Sequence, residues 1–188
     1  MNRSLPDDPI LLSGFQAWRS NRFKEALGIF KAFLTTKPDS DDAWRGVGSV
    51  YWSMQRFEDS LLAFQAALRL SPTDPMHWAD VGLALRDLKL PEQSINMFEV
   101  AIALDERYDP AWNERGNVLF DIGKYHDAIQ SYDRAIALCS TRAVYFHNRG
   151  ECRLMMGDKP TATANFRAAL ALDPRYQPSL KRLQYFAG

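Results

Sequence analysis

Apolar residues recur three and four positions apart along the whole chain, in stretches broken by Gly, Pro or polar residues. This is the spacing of one face of an amphipathic helix. Residues 110–139 show the arrangement most clearly. A first stretch runs near 110–122 and ends at Gly123. A second runs near 126–139, with Ala128, Ile129, Tyr132, Ala135, Ile136 and Leu138 on one side. Pro91 and Pro160 fall where second stretches of this kind begin, the helix position that tolerates a missing N–H best. Strand-like alternation is absent, so the pattern predicts an all-α chain built of paired helices.

The pairs repeat. Trp44, Trp78 and Trp112 stand 34 residues apart, and the same register divides the chain into units 7–40, 41–74, 75–108, 109–142 and 143–176, with a tail 177–188. One phase of the repeat is glycine throughout: Gly14, Gly48, Gly82, Gly116 and Gly150. A second phase is small (Ala26, Ser60, Ser94, Ala128, Ala162), and a third is aromatic (Phe30, Phe64, Phe98, Tyr132, Phe166). Glycine inside a helix costs about 1 kcal/mol relative to Ala. Its recurrence at one phase therefore predicts a close approach of the paired helix, completed by the small Ala or Ser and surrounded by the aromatics. Helix pairs stacked in this way form a solenoid in which each unit touches mainly its neighbours.

The period and the spacing W-x2-L-G-x2-Y…A-x3-F-x2-A…P resemble the tetratricopeptide repeat. Residues 44–72, "WRGVGSVYWSMQRFEDSLLAFQAALRLSP", match that pattern almost slot for slot. The resemblance implies a right-handed α-solenoid of five helix-turn-helix repeats, a single array over 1–188 with a capping helix near 178–187. Some positions depart from the pattern. Ile10 and Phe33 replace the usual aromatic and small residue in the first repeat. Arg115 and Arg149 take a slot that is usually aliphatic, and at Arg115 the stem is expected to pack and the head to reach solvent. Arg153 stands in the Tyr slot. In the tail, Leu180, Leu183 and Ala187 are expected to cover the last repeat while Lys181, Arg182 and Gln184 face water.

Charge narrows the function. Lys plus Arg and Asp plus Glu number 23 each, so the chain lacks the basic excess that phosphate contacts favour, and nucleic acid is not an expected partner. No apolar run has the length of a signal peptide or a membrane span, which points to a cytoplasmic protein without a membrane partner. Cys139 and Cys152 fit no disulfide framework or zinc spacing and read as small core residues. The "NRS" at 2–4 matches a glycosylation acceptor by letters alone. Phosphate-binding loops, metal motifs and nucleophile elbows are all missing. His77, His126 and His147 lie in different helices, and His147 with Glu151 reads as an ordinary pair one turn apart. The sequence therefore predicts a protein that is not an enzyme and takes no metal and no cofactor.

What the resemblance leaves is a surface. In proteins of that family the first helices of successive repeats line a concave groove that takes a peptide or helix of another protein, and the resemblance implies such a groove here. The residues falling between the packing positions are Phe15, Trp18, Arg45, Ser49, Trp52, Asp80 and Leu83 in the first three repeats. In the last two they are Asn113, Glu114, Asn117, Phe120, Asp121, His147, Asn148, Glu151 and Met155, followed by Lys181 and Arg182 in the tail. The first set is rich in apolar groups and the second is polar and leans acidic. That predicts a ligand with an apolar part and a basic or amide-rich part. Two alternatives accompany this reading. One is a co-chaperone-like carboxylate clamp, whose slots here hold Asn113, Asn117, Asn148, Pro178 and Arg182, with both of its lysines missing. The other is a self-assembling structural module, against which a monomeric adaptor is preferred.

Overall fold

The computed structural model describes residues 8–187, with side-chain surroundings through Phe186. The "NRS" run, residue 7 at the start of the first repeat, and the Ala187 side chain lie outside the described residues. The chain forms two compact units, Met1–Asp105 and Glu106–Gly188. The first holds three helical hairpins, α1 (Pro9–Arg19) with α2 (Phe23–Thr36), α3 (Asp41–Ser53) with α4 (Phe57–Leu70), and α5 (Pro75–Asp87) with α6 (Pro91–Leu104). The second holds α7 (Asp109–Asp121) with α8 (Tyr125–Leu138), α9 (Ala143–Met155) with α10 (Lys159–Leu172), and a final helix α11 (Gln177–Ala187). There is no strand among the described residues. The chain is thus all-α, a solenoid-type fold of helix-turn-helix repeats ending in a capping helix.

Local chemistry sets the helix ends. Asp8, Ser40 and Asp74 accept from backbone N–H groups in the first turns of α1, α3 and α5. Proline occupies the first turn of α6 and α10, as the sequence predicts, and also of α1, α5 and α7. Between the two helices of each hairpin one residue turns left-handed. These are Asn21, Gln55, Lys89, Gly123 and Gly157, again one phase of the repeat. Three repeats accept that conformation with a side chain in place. Between hairpins, Trp44, Trp78 and Trp112 each donate Nε1–H to the carbonyl six residues earlier, at Pro38, Pro72 and Glu106. These tryptophans are half-buried and fasten the connecting loop to the helix that follows it.

The glycines do face the second helix, and the group they meet is the aromatic ring itself. A Cβ on Gly14 would lie 2.7 Å from Phe30, one on Gly116 2.6 Å from Tyr132, and one on Gly150 2.7 Å from Phe166. The small residues sit alongside: the Ser60 and Ser94 hydroxyls donate to the Gly48 and Gly82 carbonyls at 2.9 and 2.7 Å. Phe30 is confined on two sides, because Gly46 of α3 also leaves no room for a Cβ beside its ring. In the first unit this ring joins Leu11, Phe15, Ala26, Phe33, Val47 and Val50 in one core. Tyr132, Phe166, Val118, Leu119, Tyr145 and Cys152 are buried in the second.

Two expectations need correction. The head of Arg115 turns inward, while that of Arg149 reaches both a buried and an exposed partner. Arg115 Nη1 donates to Ser131 Oγ at 2.8 Å, while Arg149 donates to Asn165 Oδ1 at 2.7 Å and to Asp133 Oδ1 at 2.5 Å. Ser131 and Asn165 are buried, so each arginine satisfies a polar group where the first unit places Val47 with Ala63 and Val81 with Met97. Cys139 is not a core residue: it caps the C-terminus of α8, half-buried, with its Sγ 3.5 Å from Thr141 Oγ1. Cys152 is fully buried, and burial pushes its thiol up to about 12.

Candidate interaction surfaces

The predicted groove residues fall in both units, with Lys181 and Arg182 at the end of the second. In the first unit, Phe15 belongs to the core rather than to a surface. It is 3% exposed and stacks edge-on against Phe30, with ring centroids 4.9 Å apart. The others with polar contacts fasten one first helix to the next. Trp18 Nε1 donates to Ser53 Oγ at 2.8 Å, linking α1 to α3. Arg45 Nε donates to Asp80 Oδ2 at 2.9 Å and Trp52 Nε1 to Asp87 Oδ2 at 2.6 Å, linking α3 to α5. All three pairs are 35 residues apart, one repeat and one position. Ser49 turns its hydroxyl back onto the Arg45 carbonyl, and Leu83 is half-buried. Burial pushes the Asp80 carboxyl above its ordinary value, with Arg45 and then His77 pulling it back. Trp52 keeps part of its ring at the surface.

The second unit turns its predicted residues into a network. Asn148 Nδ2 donates to Asn113 Oδ1 at 3.1 Å and to Asn117 Oδ1 at 3.0 Å, so α9 is tied to α7. Asn113 and Asn117 in turn donate to the two oxygens of Glu114, each at 3.0 Å, and Tyr132 donates its hydroxyl to Asn117 Oδ1. Asn113 is buried. Glu114, one of the acids behind the lean read from the sequence, is therefore engaged inside the unit. The same holds for Glu151, whose two oxygens accept from Arg182 Nε and Nη2 at 2.7 and 2.5 Å. This bidentate pair fixes α11 against α9.

Beside that ion pair lies an open groove of about 460 Å³, lined by Phe120, His147, Glu151, Pro178, Lys181, Arg182 and Tyr185. Phe120 is held by the neighbouring Tyr125 ring, centroids 5.5 Å apart. His147 stands between the Phe166 and Tyr176 rings, with Nδ1 3.0 Å from Ser179 Oγ. Burial lowers its pKa below the ordinary imidazole value, and Arg182 acts in the same direction against Glu151. His147 is therefore neutral at neutral pH. On the open side Tyr185 is 80% exposed.

Of the predicted residues, the structure brings His147, Glu151 and Arg182 to this groove, with Phe120 and Lys181. Asn113, Glu114, Asn117 and Asn148 form the network between α7 and α9 and do not line it. Tyr185 was not foreseen. Its signal was present: Pro178, Lys181, Arg182 and Tyr185 follow the i, i+3, i+4, i+7 spacing of one helix face. Opposite that face Ser179 is buried, Leu180 and Leu183 are half-buried, and Phe186 stacks near Phe166, centroids 6.1 Å apart. Among the described residues no cluster of His, Cys, Asp or Glu is arranged to hold a metal ion. No described helix is long and apolar enough to cross a membrane.

Comparison with known proteins agrees with this architecture. Two tetratricopeptide-repeat family models match, over residues 16–75 and 110–141. No curated protein matches the chain. Among solved structures it is similar to a thermophilic tetratricopeptide-repeat protein of Thermus thermophilus, at TM-score 0.80 and 21% identity over 95% of this chain and 96% of that one. It is also similar to MamA from Desulfovibrio magneticus RS-1, residues 41 to the end, at TM-score 0.73 and 16% identity over 92% and 99%. A third is YrrB, a repeat protein with an unusual peptide-binding site, at TM-score 0.67 and 19% identity over 97% and 94%. At these identities the likeness is one of fold. Repeat models matching in both units, five in-phase copies of the motif and the shared fold together make the chain a member of the tetratricopeptide-repeat family.

Proposed function

We propose that the chain is a non-catalytic adaptor that holds a peptide segment or helix of another protein in the groove of its second unit. The observation that carries this reading is the groove itself. Its size suits a few side chains of a bound segment, and it combines aromatic walls with a small number of placed polar groups. The groove is formed by helices already fixed by the Glu151–Arg182 pair and the asparagine network, so a partner meets a preformed surface and the ordering cost falls mainly on the partner. The family consists in general of protein-interaction modules, and YrrB is itself described as binding a peptide.

Nothing favours the carboxylate clamp. Arg182 is the one cation in its slots and is held by Glu151, and the three asparagines bond to one another and to Glu114. The test is affinity capture from the native cell with the wild type beside Tyr185→Ala. Tyr185 is exposed, so its loss is expected to leave the fold intact. Partners should drop out with the variant; an unchanged set of partners places the contact elsewhere.

A further inference from the structure

We infer that the groove of the second unit selects a partner segment carrying a side-chain carboxylate next to a large apolar side chain, with Lys181 as the receiving cation. This rests on the reading of that groove as a protein-binding surface, and it reverses the charge expected from the sequence. The reason is the charge balance of the rim. Glu151 and Arg182 neutralise each other through two hydrogen bonds, so neither attracts a third charge strongly. Of the other acids in the polar half, Glu114 accepts from two asparagine amides and Asp121 does not line the groove. His147 is neutral at neutral pH because burial disfavours its charged form. Lys181 is left: it lines the groove, it is exposed, and among the described residues it makes no ion pair. The groove therefore carries one net positive charge at its open side.

A basic segment entering there would bring a second cation beside Lys181 and would have to displace Arg182 to reach Glu151. An acidic one meets an available ammonium without either obstacle. The apolar part follows from the walls. Phe120, braced by Tyr125, and the exposed Tyr185 ring offer two aromatic surfaces, with Pro178 beside them. A Tyr exposed to this degree gains by covering its ring with an apolar partner while its hydroxyl stays wet. Lys181 and Tyr185 are one turn apart on α11, so carboxylate and apolar side chain need be only a few residues apart in the ligand.

The test is selection of displayed random peptides on the full chain, on Lys181→Glu and on Tyr185→Ala. Wild-type selections should be enriched in Asp or Glu close to Phe, Trp, Leu or Ile, and Lys181→Glu should turn the preference to Lys or Arg. A synthetic peptide from the wild-type pool should bind Lys181→Glu about fivefold more weakly or worse, the upper range for one exposed ion pair. The difference should shrink as salt is raised. Enriched peptides that are neutral or basic, or that bind Lys181→Glu equally well, overturn the charge assignment alone. If no peptide prefers the wild type to Tyr185→Ala, the groove is not a peptide site and both readings fall.

Discussion

Tyr132 shows how single side chains serve two purposes in this protein. Its ring rests on Gly116, and its hydroxyl donates to Asn117 Oδ1 at 2.8 Å, so the packed core and the polar network share one residue. A ring held at both ends cannot move aside. Gly116→Ala should therefore destabilise the protein by about 1–3 kcal/mol through overpacking, more than the ~1 kcal/mol of helix propensity that Ala contributes. Gly28 lies outside the periodic phase, in α2, and nothing stands within 4 Å of where its Cβ would be. Gly28→Ala should be stabilising by about 0.5–1 kcal/mol. Urea unfolding of the two variants should show opposite signs, and equal signs would contradict the packing described. The periodic glycines were legible in the sequence because five copies agree. The second glycine on Phe30, Gly46, was not, since it depends on how one hairpin seats on the next. Arg115 misled for a related reason: its partner Ser131 lies in the paired helix, 16 residues away.

At the scale of elements, α11 is the part whose role changed most between sequence and structure. Its apolar side covers the last hairpin as the spacing predicts, but Arg182 turns onto Glu151 and makes the helix one wall of a groove. A helix of 11 residues is marginal alone, so its order comes from these contacts. His147 is central to them, between the Tyr176 and Phe166 rings and next to Ser179. Its folded pKa is depressed by burial below the value of the unfolded chain. Between those two values the unfolded state binds more protons, so stability rises with pH across the window. The contribution is complete above the ordinary imidazole value of 6.5 and is lost as pH falls from there through the folded pKa. Thermal unfolding between about pH 7.5 and about 5 should show a fall that is smaller in His147→Gln, a comparison that removes the shared effect of the carboxylates. Identical pH profiles for the two proteins would contradict this account of α11.

Across the whole molecule, the repeat carried most of what the sequence disclosed. Element type, hairpin order and the fold all follow from one 34-residue period that each copy reinforces. The surface was less legible because exposed positions are not constrained by the period. Composition indicated acids in the C-terminal half, yet whether an acid is available depends on what faces it. Glu151 faces Arg182 from a different helix, 31 residues on, and Glu114 faces amides on its own helix. The first unit shows the same effect, where Arg45 and Asp80 cancel each other. A chain of zero net charge can thus present a locally positive groove without any excess of basic residues. That groove in the second unit, as the seat of a partner segment, is the central claim. Amide NMR of the full chain titrated with a peptide selected against it is the most direct measurement. The account predicts shifts gathered on α7, α9 and α11, at Phe120, His147, Lys181 and Tyr185, and absent in Tyr185→Ala. Shifts confined to the first unit, or to the outer faces of α8 and α10, would contradict it.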